Sequence, residues 1–195
     1  MEETKKKGLN TSSNSYTIIY SVVIVVVVAF LLAFVSSTLK PQQDENVALD
    51  KKKQILAALN IRDIDGAEAT EQYNKVVTAD KIIDRNGEEV EAGKQGGTEA
   101  GFLCNSTSTK EGKLALYVCN VDGETKYVIP VYGMGLWGGI SGYIALNADK
   151  QTVYGAYFNH EGETAGLGAE IKDSRKWQDQ FKGKHVFAAG KEGVA

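Results

Sequence analysis

Gly133-Met-Gly-Leu-Trp-Gly-Gly139 and His160-Glu-Gly-Glu-Thr-Ala-Gly-Leu-Gly168 are two glycine-rich segments that flank a pair of strand-like segments. These are Ile140-Ser-Gly-Tyr-Ile-Ala-Leu146 and Thr152-Val-Tyr-Gly-Ala-Tyr-Phe158, and Asn147-Ala-Asp-Lys150 between them has the composition of a turn. A hairpin closed at this turn brings both glycine-rich segments to the same end of a sheet. Because glycine has no side chain, its backbone N–H can approach a ligand closely.

The composition of the chain disfavours several kinds of site. Its 195 residues are 43% hydrophobic and 24% charged, which fits one globular domain with an appendage. The net charge of −3, without a basic stripe, gives no affinity for nucleic acid. Cys104, Cys119, His160 and His185 lack metal-ligand spacing, and neither histidine lies in a nucleophile motif. We therefore predict no metal site and no catalytic residue in this chain.

The N-terminal region predicts a membrane anchor. Residues 1–15 are polar and predict a flexible tail. Tyr16 to Val35 carries no charge, and 20 residues of helix span about 30 Å, the thickness of the hydrocarbon layer. We predict a transmembrane helix over 16–38 rather than a cleaved signal peptide, whose apolar region is shorter. The flanking positive charges are nearly balanced, so the charge rule leaves the orientation open, and we prefer a cytoplasmic tail with an exported domain.

Residues 39–62 predict a juxtamembrane helix or linker. Proline and acidic residues from Pro41 to Glu45 end the apolar span, and Val47 to Leu59 has the composition of a helix. Two interpretations have equal weight. Lys51 to Lys53 could bind lipid headgroups or a partner, or Ile55, Leu56 and Leu59 could pack on their own domain.

Residues 63–195 predict an antiparallel sheet with short flanking helices, so the fold class is α+β. Before the central hairpin we predict a helix over 67–77, a hairpin through Asn86-Gly87, a loop-rich stretch over 92–109 and a hairpin through Asp122-Gly-Glu124. After it we predict a helix over 174–182. Ser174 caps this helix, and the helix buries Trp177 and Phe181. Pro130 cannot donate to a ladder, so its strand is expected to lie at an edge or to end there. Cys104 and Cys119 are oxidised or buried as free thiols, with equal weight.

Gly133-x-Gly-x-x-Gly138 has the glycine spacing of the dinucleotide-binding fingerprint but not its sequence context. That fingerprint requires a helix directly after the glycines and an acidic residue about 20 positions later. Here a strand pattern follows, and position 153 is Val. We therefore interpret this segment as a turn.

Trp137 is the most informative residue of the two glycine-rich segments. It is either a plug that closes the sheet or a face offered to a flat ligand, and composition alone favours the plug. Glu163 and Thr164 can form hydrogen bonds with a polar ring edge, and Leu167 can present a methyl group to a ring. An isoalloxazine ring needs this mixture of apolar faces and polar groups.

Three motifs resemble one known family. The chain resembles the C subunit of the Na+-translocating NADH:quinone reductase. The resemblance lies in a single membrane helix followed by three motifs: Ile129-Pro-Val-x-Gly-x-Gly-Leu-Trp137, Gly142-Tyr-Ile-Ala-Leu146 and the segment His160 to Gly168. The resemblance implies an FMN-binding domain on the periplasmic side of the inner membrane. It also implies a membrane complex, built from six different subunits, that relays electrons from NADH toward quinone and exports Na+.

The resemblance also assigns site residues. Trp137, Glu163, Thr164, Leu167 and Gly168 match the positions that surround the flavin ring in that family. The family has proline where this chain has alanine at position 165, which concerns only the stiffness of the loop.

The family joins its FMN through the phosphate to a threonine in a Ser-Gly-Ala-Thr motif near the C-terminus. Ser141-Gly142 is followed here by Tyr-Ile, and the motif occurs nowhere up to Ala195. Either the chain is C-terminally truncated or this copy does not hold its flavin covalently. We expect truncation, with the attachment threonine downstream of Ala195 and a pocket open on one side.

Two alternatives remain at this point. One is the G subunit of an ion-translocating ferredoxin:NAD reductase, which has the same plan of anchor and flavin domain. The other is a membrane-anchored scaffold without a cofactor, in which Trp137 is a plug and the glycine-rich segments are simple turns.

Overall fold

The computed structural model describes Thr11 and residues 13–187 of the chain. The fold is α+β, as predicted, with one long N-terminal helix and a six-stranded antiparallel sheet. The helices are α1 (Asn14–Ala58), α2 (Gly66–Val76), α3 (Ser106–Lys110), α4 (Glu170–Asp173) and α5 (Arg175–Asp179), with a 3-10 turn at Gly101–Leu103. The strands are β1 (Val77–Ile83), β2 (Glu89–Glu91), β3 (Leu114–Val121), β4 (Glu124–Met134), β5 (Gly139–Leu146) and β6 (Val153–His160). Most of the predicted flexible tail lies outside the described residues.

The chain divides into two compact units, Met1–Val47 and Ala48–Ala195. In the first unit, α1 is long and apolar enough to cross a membrane, and its apolar side chains are exposed. The helix continues through Pro41 to Ala58, so the apolar span and the juxtamembrane helix predicted after it belong to one helix. Proline removes one backbone donor from it.

In the second unit, the C-terminal end of α1 packs on one face of the sheet. Ile55, Leu56 and Leu59 are fully buried, which confirms that this helix packs on its own domain. Lys51 donates hydrogen bonds from its ammonium group to the backbone carbonyls of Phe102 and Cys104. This lysine therefore stabilises the loop that precedes α3.

The strand order of the sheet is β2-β1-β3-β4-β5-β6, and every neighbouring pair is antiparallel. All three predicted hairpins are confirmed. Gly87 and Gly123 have φ angles of 83° and 84°, the left-handed conformation that their tight turns require. The third hairpin brings the two glycine-rich segments to one end of the sheet, as expected.

The prediction for Pro130 is wrong, because β4 is an interior strand and continues beyond it to Met134. The ladder between β4 and β3 ends at the pair Val128 and Tyr117, two residues before the proline. Pro130 is paired with Tyr143 of β5. Because β4 has no β3 partner at this position, the missing N–H leaves the ladder intact.

The core lies between the sheet and the helices α1 and α2. Its cysteines, Cys104 and Cys119, are both buried and free, so the free-thiol interpretation is the one the structure supports. Burial raises the pKa of the Cys119 thiol to about 12. Gly155 lies against the carbonyl oxygen of Ala58, and a Cβ atom there would overlap it. A glycine is therefore needed for α1 to approach β6.

The predicted helix over 174–182 is observed as the shorter α5. Its N-cap is Ser174, whose hydroxyl accepts a hydrogen bond from the N–H of Trp177 at 3.2 Å. Trp177 and Phe181 are half-buried, and their rings pack on Phe158 of β6 with centroids 5.7 and 5.2 Å away.

Candidate functional site

The two glycine-rich segments form adjoining loops at one end of the sheet. In the first, between β4 and β5, the N–H of Gly135 donates to the carbonyl of Gly138 at 2.8 Å. In the second, which follows β6, the N–H of Glu161 donates to the carbonyl of Gly139 at 3.0 Å. The first segment leads into a strand rather than a helix, which agrees with the rejection of a dinucleotide fingerprint. We call these the first loop (residues 135–138) and the second loop (residues 161–169).

The Glu163 side chain ties the second loop to the first. Its carboxylate accepts a hydrogen bond from the backbone N–H of Trp137 at 3.1 Å. A Cβ atom on Gly135 would overlap one carboxylate oxygen, and a Cβ on Gly168 would lie 2.7 Å from the other. Both glycines are therefore needed for the carboxylate to occupy this position.

Two neighbouring residues support the same arrangement. The Nδ1 atom of His160 accepts the backbone N–H of Glu163 at 3.2 Å, and the Glu161 carboxylate accepts the N–H of Gly139 at 3.2 Å. Sequence reasoning assigned no structural role to His160 or Glu161. The sequence does contain an indication of such a role, because two glutamates flank Gly162, opposite a loop rich in glycine N–H groups.

Trp137 is not a plug, which corrects the preference drawn from composition. Its side chain is 67% exposed, and it packs on no other aromatic ring among the described residues. The glycines beside it give the indole nothing to pack against in its own loop. Leu136 and Leu167 of the two loops and Met134 at the end of β4 are also exposed, so this end of the sheet presents four large apolar side chains to solvent. Exposed apolar groups that are concentrated in this way mark binding surfaces.

Hydrogen bonds to one carbonyl shape the second loop. The carbonyl of Thr164 accepts the N–H groups of Leu167 and Gly168 at 3.0 and 3.1 Å, and Gly166 has a φ angle of 79°. This turn leaves the Leu167 side chain 83% exposed. The Thr164 hydroxyl is exposed as well, and within the described part of the chain it makes no hydrogen bond.

Residues 135–193, which include both loops, match the family model described as FMN-binding domain. The C subunit of the Na(+)-translocating NADH-quinone reductase from Haemophilus ducreyi is 33% identical, over 83% of this chain and 68% of its own length. The protein of that name from Pseudomonas aeruginosa is 30% identical, over 92% of this chain and 76% of its own. The chain belongs to this C-subunit family.

Solved structures agree with this family. The crystal structure of the protein of the same name from Parabacteroides distasonis superposes with a TM-score of 0.72 at 37% identity, covering 80% of this chain and 74% of that one. The crystal structure of Shewanella oneidensis NqrC superposes with a TM-score of 0.58 at 23% identity, covering 73% of this chain and 72% of that one. At this identity the similarity concerns the fold alone.

The predicted site residues of this C-subunit homologue lie together and suit a flavin ring. Glu163 contacts Trp137 and the backbone at Gly168, while Thr164 and Leu167 share one hydrogen-bonded turn with Gly168. An isoalloxazine ring has flat apolar faces and a polar edge. The exposed indole and leucine side chains complement its faces, and the hydroxyl and carboxylate complement its edge.

A cavity that sequence reasoning did not predict adjoins the first loop. It measures about 550 Å³ and lies at the tip of the β4–β5 hairpin, beside α3. Tyr132, Ser141 and Glu161 line it, together with Lys110. Burial raises the pKa of the Tyr132 hydroxyl, so this group is a neutral hydrogen-bond donor at physiological pH. Its lining residues come from three separate parts of the chain, which is why no local pattern indicated it.

Proposed function

We propose that this chain is the membrane-anchored FMN electron-transfer subunit of a Na+-translocating NADH:quinone oxidoreductase. In this complex electrons pass from NADH toward quinone and their flow is coupled to Na+ export. The observation that carries the proposal is the tie between Glu163 and Trp137. It holds two loops of an FMN-binding domain together and leaves Trp137 and Leu167 exposed.

Each site residue has a defined part in this proposal. The Trp137 indole stacks on the flavin ring, and Leu167 supplies an apolar contact to it. The Thr164 hydroxyl and the Glu163 carboxylate face the polar edge of the ring, and the backbone at Gly168 allows close approach. When bound, FMN supplies the one- and two-electron chemistry, while these residues orient it and exclude water from one face.

The proposed membrane arrangement follows the division of the sequence. Residues 16–38 cross the cell inner membrane once, 1–15 form a cytoplasmic tail, 39–62 join the anchor to the domain, and 63–195 lie in the periplasm as the FMN domain. The exposed apolar surface of α1 supports the membrane span. An alkaline phosphatase fusion after the domain tests the orientation, because this enzyme is active only in the periplasm. An inactive fusion that is expressed at a normal level would reverse it.

The proposed FMN attachment is covalent, through a threonine downstream of Ala195. The product of the full coding sequence, made in cells with an active flavin transferase, should give a flavin-fluorescent band after denaturing electrophoresis. The chain that ends at Ala195 should give a dark band. A dark band from the longer product would contradict covalent attachment, although non-covalent binding would remain measurable by titration.

Membership of the complex is tested by complementation. In a strain that lacks its own C subunit, the full coding sequence should restore Na+-dependent NADH:quinone reductase activity in membranes. The Trp137→Ala version should assemble to the same level and restore far less activity. Restored activity without Na+ dependence, or full activity of the alanine variant, would contradict the proposed function.

A further inference from the structure

A second cavity, of about 420 Å³, lies between the C-terminal part of α1, residues 61–64 and the end of β6. This volume falls in the range of small-molecule sites, about 300–1,000 Å³. It is lined by three cationic side chains, those of Lys53, Arg62 and Lys172, and by the Tyr157 ring and Asn159. Trp137 and the other predicted flavin-ring residues are not part of its lining.

Arg62 is held rigidly at the wall of this cavity. Its Nη2 atom donates to the backbone carbonyl of Ala156 at 2.9 Å, and its guanidinium carbon lies 5.9 Å from the centroid of the Tyr157 ring. Its Nε atom is buried and has no hydrogen-bond partner among the described residues. Burial lowers the pKa of the Arg62 guanidinium, and the nearby charge of Arg175 lowers it further. Because Nε has no exposed surface, a ligand in the cavity meets the Nη end of the guanidinium rather than Nε.

The other charges of the cavity favour an anion. Neither Lys53 nor Lys172 forms a salt bridge with any residue that the structure describes. Two carboxylates, Asp50 and Asp63, also line the cavity, and Asp63 lies 4.0 Å from Arg175. Cations therefore outnumber carboxylates in the lining by three to two.

The other residues that line the cavity indicate what kind of molecule could carry the anionic group. Ala57, Ile61 and Ile64 give the cavity an apolar wall, and the carboxylates can accept hydrogen bonds from hydroxyl groups. The cavity is therefore suited to a small organic body attached to an oxyanion.

We propose that this cavity binds the phosphate group of a small molecule, with phosphate oxygens accepting from the Arg62 guanidinium and from the ammonium groups of Lys53 and Lys172. The phosphate belongs either to FMN or to a separate phosphate ester. The proposal stands on the cavity alone and does not require the proposed electron-transfer function.

The direct test is equilibrium dialysis of radiolabelled inorganic phosphate against the full chain in a non-ionic detergent at constant ionic strength. We expect one saturable phosphate per chain. Combining Lys53→Gln with Lys172→Gln should raise the Kd about tenfold, because two charge-assisted contacts are lost. The matched control is Lys75→Gln, an exposed lysine of α2 outside the cavity, which should leave the Kd unchanged.

Arg62→Gln should abolish phosphate binding. Arg62 also donates a hydrogen bond to β6, so the thermal midpoint of Arg62→Gln must be measured alongside its phosphate binding. If Arg62→Gln unfolds, the double lysine variant provides the test. The absence of saturable binding to the wild-type chain would overturn the proposal. So would an unchanged Kd in the double lysine variant, or an equal loss in Lys75→Gln.

Competition identifies the source of the phosphate. If it belongs to FMN, then FMN should displace inorganic phosphate, riboflavin should not, and Trp137→Ala should weaken the displacement. If it belongs to another ester, glycerol 3-phosphate should displace inorganic phosphate while FMN leaves it bound. A failure of FMN to bind at all would count against the proposed function and would leave the dialysis result unaffected.

Discussion

The carboxylate of Glu163 accepts a hydrogen bond from the backbone N–H of Trp137, 26 positions earlier in the chain, at 3.1 Å. The bond fixes the backbone that carries the indole without covering the indole itself. A ligand ring can therefore meet a surface that is already ordered, which reduces the entropy lost on binding.

Gly135→Ala should weaken FMN binding about tenfold, because its methyl group would overlap the Glu163 carboxylate and break a charge-assisted hydrogen bond. Gly133→Ala is the matched control, since a Cβ atom there meets nothing within 4 Å. Titration of the full chain with FMN, followed by flavin fluorescence, measures both. Equal affinities for the two variants would show that the position of Glu163 does not matter.

The two tryptophans should differ in their effects on stability. Trp137→Ala should change the free energy of unfolding by less than about 0.5 kcal/mol, because its side chain is exposed. Trp177→Ala should cost about 1–3 kcal/mol, since it removes a ring that packs on Phe158 and Phe181. Denaturant unfolding followed by circular dichroism makes the comparison. A large loss for Trp137→Ala would restore the plug interpretation.

The hairpins could be predicted because their turns are chemically local. Asn86-Gly87, Asp122-Gly123 and the turn at Asn147 to Lys150 each indicate a reversal within four residues, and the alternation on both sides sets the strands. The meeting of the two loops followed from the third hairpin alone. The site residues came from the family resemblance, because composition supplied the right groups without a reason to expose Trp137.

Other features depend on contacts that no local pattern records. Whether Pro130 ends a strand depends on how far β3 extends beside it. The carboxylate of Asp80 is buried and accepts the N–H groups of Lys94, Ala100 and Phe102, so it organises a stretch whose sequence indicated only a loop. The contact from Lys51 to the carbonyl of Cys104 spans 53 positions. Such pairings are fixed by the folded sheet.

Both thiols should be unreactive in the native chain. Burial raises the pKa of Cys104 and raises that of Cys119 to about 12, so at pH 8 only about one Cys119 thiol in ten thousand is a thiolate, the reactive form. Ellman's reagent should detect no thiol in the native chain at pH 8 and two per chain in guanidinium. The rate of Cys119 alkylation should rise about tenfold per pH unit for as long as the chain stays folded, because the thiolate fraction does. Fewer than two thiols after denaturation would indicate a disulfide bond.

Asp149 should contribute to stability at neutral pH and lose this contribution in acid. Hydrogen bonds from the Thr152 hydroxyl and from the N–H groups of Thr152 and Gln151 lower the Asp149 pKa to about 2. Because the unfolded value is about 3.9, the contribution is complete above about pH 4 and is lost as the pH falls toward 2. The thermal midpoint of Asp149→Asn should therefore lie below that of the wild type at pH 6, with a difference that shrinks between pH 4 and 2. A difference independent of pH would exclude the carboxylate as its cause.

The most direct test of the flavin site uses the chain's two tryptophans as separate reporters. Trp177→Phe leaves Trp137 as the only indole, and Trp137→Phe leaves Trp177. Each full-length variant is loaded with FMN and the emission of the bound flavin is recorded, because an indole in contact with the ring quenches it. If the flavin ring stacks on Trp137, flavin emission should stay quenched in the first variant and recover in the second. Equal flavin emission in both, or recovery only in Trp177→Phe, would contradict a flavin ring held at the two loops.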